Sequence, residues 1–171
     1  MHKSSHDEMA KLLDLHDKTT KQNYLLVDVG SYNVNGSYKD IIPANARYIG
    51  CDLVAGPNVD IVMPAEYSLP FDTNSVDVVI SGQCIEHCRN PFKLVTEMAR
   101  ILRPGGKLYL TAPFVWREHR YPIDTFRYLP DGFKALFDEA GLFTNSTWLN
   151  EANNGYGGVD CWGIASKPSK D

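Results

Sequence analysis

Asp28 lies near the end of a short apolar run that stops at Gly30, and Asp52 follows a second run, 22 residues after that glycine. A glycine at a strand end lets the backbone approach a ligand closely, because no Cβ intervenes. An acidic side chain at the end of the next strand can accept both hydroxyls of a ribose in charge-assisted bonds. Taken singly, each feature also fits a plain strand-to-helix turn. Two imidazoles stand further along: His87 in Cys84-Ile85-Glu86-His87-Cys88, and His119 among aromatics. Imidazole titrates near neutrality, so either can serve as a general base toward an acceptor hydroxyl. The competing reading of His87 is a cap or buttress of the following turn. His2, His6 and His16 are read as solvated helix residues.

Several chemistries are disfavoured. Cys84, His87 and Cys88 lack Cys-x-x-Cys spacing and no second ligand pair accompanies them, so no metal is expected and the thiols are read as small apolar groups. No Gly-x-Gly-x-x-Gly loop follows the first run. Tyr32 and Asn33 stand where glycines would cradle a pyrophosphate, which argues against a nicotinamide cofactor. Seventeen Lys+Arg against 21 Asp+Glu leave a net charge of -4 without a basic run, so nucleic acid is a disfavoured partner. No stretch approaches the roughly 20 apolar residues of a membrane span. The polar start, Met1 to Glu8, lacks the apolar core of a signal peptide. Cysteines 51, 84, 88 and 161 form no tight secreted-type framework, so a reducing, cytoplasmic setting is expected.

The elements that must position these residues follow from periodicity. A composition of 43% hydrophobic and 22% charged residues over 171 positions fits one globular domain. Residues 5–21 read as a helix, with Ser5 and Glu8 as a capping box and Met9, Leu12, Leu13 and His16 on one face. Near-continuous apolar runs at 24–29, 47–51, 59–62, 76–80 and 107–111 suggest strands covered on both faces, hence a parallel sheet. Asn90 and Pro91 open a second helix carrying Leu94, Val95, Met98, Ile101 and Leu102, which Arg103-Pro104-Gly105-Gly106 stops. A third helix spans 131–140, with Gly141 placed for the left-handed C-terminal conformation. Strand candidates at 143–149 and 159–166 follow. The alternation predicts an α/β doubly wound sheet.

The chain resembles a class I S-adenosylmethionine-dependent methyltransferase of the small, type 11-like kind. The matching pieces occur in the family's order: Val27-Asp28-Val29-Gly30-Ser31; Tyr48-Ile49-Gly50-Cys51-Asp52-Leu53; Pro64-Ala65-Glu66-Tyr67-Ser68-Leu69-Pro70-Phe71; Ser75 to Ser81 with Glu86-His87; and Leu102-Arg103-Pro104-Gly105-Gly106 with Leu108. Each is weak alone, and five in order form a strong signal. The resemblance implies a mostly parallel, seven-stranded Rossmann-like sheet with its last strand antiparallel and helices on both faces. It implies a single domain over 1–171: an N-terminal helix in 1–22, a cofactor-binding core in 24–115 and acceptor-side loops at 114–129 and 150–158.

The resemblance also implies S-adenosyl-L-methionine as cofactor and S-adenosyl-L-homocysteine as product. Gly30 and Ser31 would lie by the methionine part, and Asp28 would orient its amino group. Asp52 would hold the ribose hydroxyls, Leu53 the adenine face, Ala65 and Glu66 the adenine edge. Ser81, Gly82 and Gln83 would floor the site beneath the methyl. Two departures stand out: Tyr32 replaces a second glycine, and Pro64 replaces an acidic residue.

Segment 114–129 holds five aromatics, three arginines, a histidine and two acids. Aromatic faces suit sugars or planar groups, and arginine suits carboxylate or phosphate. Trp116, Tyr121 and Arg127 are therefore the candidate acceptor contacts, with Arg127 in a structural ion pair as the bland alternative. The leading reading is methyl transfer to oxygen or nitrogen of a small or sugar-like acceptor. The runner-up is a non-catalytic cofactor-binding or partner subunit on the same fold. A seven-stranded sheet leaves little of the length for a lid. An open acceptor site is expected, completed by a partner or second subunit or serving a large acceptor.

Overall fold

In the computed structural model of the chain, residues 3–20, 22–150 and 158–169 are described. Seven strands form one sheet: β1 (Tyr24–Val29), β2 (Ala46–Asp52), β3 (Ile61–Val62), β4 (Val76–Gly82), β5 (Leu102–Val115), β6 (Phe143–Leu149) and β7 (Val159–Ser166). Their order is β3-β2-β1-β4-β5-β7-β6. The pairs joining β3, β2, β1, β4 and β5 are parallel, whereas β7 runs antiparallel to both β5 and β6. The chain steps outward from β1 to β3, then returns to the other side of β1 as β4. That reversal opens a crevice beyond the carboxyl ends of β1 and β4, where open α/β sheets bind ligands.

Strand alternation divides the core between two faces. Leu26, Val78, Ile80, Tyr109 and Trp162 pack with Met9 and Leu13 of α1 (Lys3–Thr20). Val27, Val29, Val79, Leu108 and Leu110 pack with Leu94, Val95 and Met98 of α2 (Pro91–Ile101) and with Phe133 and Phe137 of α3 (Pro130–Glu139). Asn90 caps α2, its Oδ1 accepting from Lys93 N at 3.1 Å, and Pro91 occupies the first turn where its missing N–H costs nothing. Gly141 follows α3 with φ +71°, the left-handed ending its position suggests. No helix of the described residues is long and apolar enough to cross a membrane.

Three local expectations are corrected. Ser5 is not a cap: α1 begins at Lys3, and the Ser5 hydroxyl is buried in the helix, 2.8 Å from the Tyr38 hydroxyl. His16 is only partly exposed; its Nδ1 lies 3.1 Å from the Tyr109 hydroxyl, and burial lowers its pKa. The 103–106 segment ends α2 but does not form a separate turn. It enters β5 through a register shift against β4, with Gly106 held where a Cβ would stand 2.8 Å from the Arg103 carbonyl. The connection from β1 to β2 carries a single 3-10 turn, Lys39–Ile41. Tyr38, Ile41 and Ile42 pack from it onto the face that α1 covers, so the N-terminal helix and this turn together do the work of a crossover helix.

Candidate functional site

The crevice widens into a cavity of about 720 Å³ that runs from the ends of β1, β2 and β4 to residues 116–123. That volume lies within the roughly 300–1,000 Å³ usual for small-molecule sites.

Gly30 turns out of β1 with φ +85°, and a Cβ there would meet Cys84 Sγ at 2.5 Å. Backbone freedom and the lack of a side chain are both required at this one position. Its N–H and that of Ser31 donate to the Cys51 carbonyl at 2.9 and 3.1 Å, tying the turn to the end of β2. Ser31 lines the cavity, but its hydroxyl donates to the Asn58 carbonyl at 3.0 Å. Asp28 is 3% exposed and accepts from the Tyr48 hydroxyl at 2.9 Å. Burial pushes its carboxyl up to about 7; the Tyr48 hydroxyl opposes this and the nearby Asp52 charge adds to it.

Asp52 is held at both oxygens. Oδ2 accepts from Tyr32 N at 3.0 Å and Oδ1 from Leu53 N at 2.7 Å. Each oxygen keeps lone-pair capacity, so a fixed carboxylate faces the cavity with room for two hydroxyl donors. Tyr32 thereby explains itself: its N–H anchors Asp52, and its ring packs over Gly56, where a Cβ would come within 2.1 Å of the ring. Tyr32, Val34, Leu53 and Val54 line this end with large exposed apolar side chains, a surface suited to a flat heterocycle.

Glu66 lines the cavity with Oε1 accepting from Arg89 at 2.7 Å. Ala65 does not line it; it is exposed on a small turn bridged to Ser68. Ser81 is fully buried, and its hydroxyl donates to the Val29 carbonyl at 2.7 Å, stitching β4 to β1 rather than facing a ligand. Gly82 and Gln83 do line the cavity. Gln83 has φ +57°, and its Nε2 donates to Asp160 Oδ1 at 3.1 Å.

On the far side, His87, His119, Trp116 and Tyr121 share the wall. The two imidazole centroids are 4.9 Å apart, and Tyr121 lies 6.0 and 6.2 Å from them. His87 Nδ1 meets the Ile123 carbonyl at 2.6 Å, and burial lowers the pKa of the ring. His119 Nδ1 lies 3.2 Å from the Arg117 carbonyl. Behind them sits Glu86, fully buried, with neither carboxylate oxygen hydrogen-bonded. Burial pushes its carboxyl up to about 8. Oε1 is 3.6 Å from His87 Nε2 and 3.9 Å from His119 Nε2.

Arg127 is corrected as an acceptor contact. It does not line the cavity: its guanidinium holds Asp124 at 2.6 and 2.8 Å and donates to the carbonyls of Phe126 and Arg117. That pairing holds the Asp124 carboxyl well below its ordinary range. Thr125 binds the segment 116–128, a strap leaving β5, to the turn after β4, its hydroxyl donating toward the carbonyls of Glu86 and Cys88 at 2.6 and 2.7 Å. The loop expected at 150–158 falls largely outside the described residues. Sequence reasoning missed Tyr48, Tyr38 and the burial of Glu86. Only the adjacency of Glu86 to His87 could have signalled the last of these.

A parallel sheet with an antiparallel last strand, a doubly anchored carboxylate after β2 and a glycine turn after β1 make up the class I methyltransferase architecture. Residues 22–110 match the family described as "Methyltransferase domain", more than half of the chain, and the chain belongs to that family. It is 35% identical over 91 residues to a probable S-adenosylmethionine-dependent methyltransferase of Mycolicibacterium smegmatis, a match covering 52% of this chain and 32% of that protein. The match thus spans about a third of that relative's length. In structure it is similar to a putative methyltransferase of Bacillus halodurans, with a TM-score of 0.74 at 14% identity and 97% and 100% coverage. It is also similar to the putative methyltransferase of Haloferax volcanii complexed with the Trm112 methyltransferase activator, with a TM-score of 0.62 at 20% identity and 95% coverage of both chains. S-adenosyl-L-methionine is the cofactor of this family, and the crevice fits it: a doubly anchored Asp52, a Cβ-free Gly30 turn and exposed apolar walls.

Proposed function

We propose that the protein is an S-adenosylmethionine-dependent methyltransferase that methylates oxygen or nitrogen of a small or sugar-like acceptor. The observation that carries this is the continuity of one cavity from Asp52 to the His87, His119 and Tyr121 wall. Cofactor and acceptor then share a single space. The bound cofactor supplies an activated methyl on a sulfonium. The chain's own task is to align the acceptor, an effect worth roughly 7–11 kcal/mol in favourable cases.

Asp52 takes the ribose hydroxyls, Leu53 and Tyr32 flank the adenine, and Glu66 borders its edge. Asp28 faces the amino group, and Gly30, Gly82 and Gln83 line the methionine end. His87 and His119 are the bases toward an acceptor hydroxyl, and Trp116 and Tyr121 pack against its body. A partner or second subunit completes the acceptor side, a reading supported by the activator bound to the Haloferax relative. The four free cysteines support a reducing, cytoplasmic setting.

Calorimetry with S-adenosylhomocysteine tests the cofactor half, and a screen of hydroxyl and amine acceptors with labelled cofactor tests the other. Saturable binding and methyl incorporation are expected. A folded protein that does not bind S-adenosylhomocysteine would overturn the reading. Binding without turnover on any acceptor would favour a non-catalytic subunit.

A further inference from the structure

Glu86, His87 and His119 bring one carboxylate oxygen and two imidazole nitrogens within 4.8 Å of one another. The cysteine spacing at 84–88 gives no reason to expect this, because the third member arrives from a separate segment, after β5. Each ring is already oriented for a cation. His87 Nδ1 meets the Ile123 carbonyl, and His119 Nδ1 faces the Arg117 carbonyl and lies 3.4 Å from Asp124 Oδ2. With Nδ1 donating to these acceptors, each Nε2 keeps its lone pair, and the two Nε2 atoms lie 3.6 and 3.9 Å from Glu86 Oε1. Metal-binding histidines are oriented by such carbonyl and carboxylate partners.

The carboxylate supplies the independent observation. Glu86 has no exposure to solvent, and neither of its oxygens has a hydrogen-bond partner. A buried acidic side chain whose oxygens accept no well-directed hydrogen bond is costly, and a cation between it and the two rings would offset that cost. Ligand atoms around an ion at zinc-like bond lengths of about 2.0–2.2 Å stand roughly 3.3–3.5 Å apart. The two oxygen-to-nitrogen separations, 3.6 and 3.9 Å, are within about half an ångström of that.

We propose that Glu86, His87 and His119 bind a first-row divalent cation of the zinc or cobalt class, with its remaining coordination positions open to the cavity. Two histidines and one carboxylate suit such ions rather than magnesium or calcium, which prefer oxygen ligands. His87 and His119 line the cavity and Glu86 lies behind them, so the open positions face the acceptor space. An acceptor hydroxyl or carboxylate oxygen is the ligand class that fits there, and a bound cation would lower the pKa of a hydroxyl. Cation binding rests on the geometry alone; with the ion bound, His87 and His119 are its ligands and not the bases, and its use on an acceptor rests on the methyl-transfer reading.

The test is titration of the full, chelator-treated chain with Co2+, followed by visible ligand-field absorption, with Zn2+ as competitor. One saturable ion per chain, displaced by Zn2+, is expected. Glu86→Gln and His119→Ala should each weaken it by at least about tenfold. Because Glu86 is buried, His119→Ala at the cavity wall keeps the test open if the other variant does not fold. No saturable spectrum, or equal Co2+ affinity in the wild type and His119→Ala, would overturn the proposal. S-adenosylhomocysteine calorimetry on the same samples separates the two readings. Cofactor binding without Co2+ binding sinks the cation site alone, and the converse sinks the methyl-transfer reading alone.

Discussion

At the residue scale, the site depends on groups whose freedom has been removed. Two backbone N–H groups fix the Asp52 carboxylate, and the proposed grip on a ribose rests on that. Asp52→Ala should weaken S-adenosylhomocysteine binding by about 2–4 kcal/mol, roughly 30-fold to several-hundred-fold, as two charge-assisted bonds are lost. Unchanged affinity by calorimetry would refute the ribose assignment. Asp28 gives a pH dependence. Burial pushes its carboxyl up to about 7 in the folded chain against 3.8 ordinarily, with the Tyr48 hydroxyl bonded to it and Tyr38, Cys51 and Asp52 near enough to interact electrostatically. The folded state therefore binds more protons than the unfolded state from about pH 4 to 7, and stability contributed at this site falls as pH rises through that window. Asp28→Asn should flatten that slope in urea melts recorded across the window. A cofactor amino group beside Asp28 favours the ionised form, so S-adenosylhomocysteine should bind more tightly at pH 8 than at pH 6, with proton release visible in buffers of different ionisation enthalpy. Asp28→Asn should abolish both effects.

At the scale of elements, the strap over 116–128 is held to the turn after β4 by few but well-directed bonds. The Thr125 hydroxyl reaches the carbonyls of Glu86 and Cys88, its N–H donates to the Glu86 carbonyl, and Tyr128 Oη donates to the Ile85 carbonyl at 2.9 Å. Thr125→Val keeps the shape and removes the hydroxyl. It should cost about 1–3 kcal/mol and raise amide exchange selectively in this strap, leaving β1 and β2 protected. Gly30→Ala tests the other element junction. Its Cβ would collide with Cys84 at 2.5 Å in a left-handed backbone, so lowered stability and lost cofactor binding should appear together. A stable Gly30→Ala that binds S-adenosylhomocysteine normally would show that the turn adapts.

At the scale of the whole molecule, α1 closes the face that the missing crossover helix between β1 and β2 leaves open. Met9 and Leu13 are fully buried against the sheet, and Ser5 meets Tyr38. Tyr38 in turn packs over Gly82 at the cavity floor, where a Cβ would lie 2.1 Å from its hydroxyl oxygen. Leu13→Ala should therefore cost about 2–5 kcal/mol of global stability, read as a fall in Tm. The same variant should loosen cofactor binding through Tyr38, although α1 does not line the cavity.

The sequence alone determined the order of strands and helices and the turns that end β1 and β2. Each of these is local: β1 with Gly30, β2 with Asp52, and Asn90-Pro91 opening α2 are contiguous patterns whose physics acts over a few residues. It did not determine which hydroxyls turn inward. Ser31 and Ser81 are committed to backbone carbonyls of other segments, and Arg127 is committed to Asp124, its neighbour on the strap. Nor did it determine the wall that His87 and His119 share. His119 reaches Glu86 and His87 only because the strap leaving β5 folds back onto the turn leaving β4. Burial and pairing across distant segments are properties of the closed fold, so only the tertiary structure could leave the buried Glu86 carboxylate facing two imidazoles with no hydrogen bond of its own.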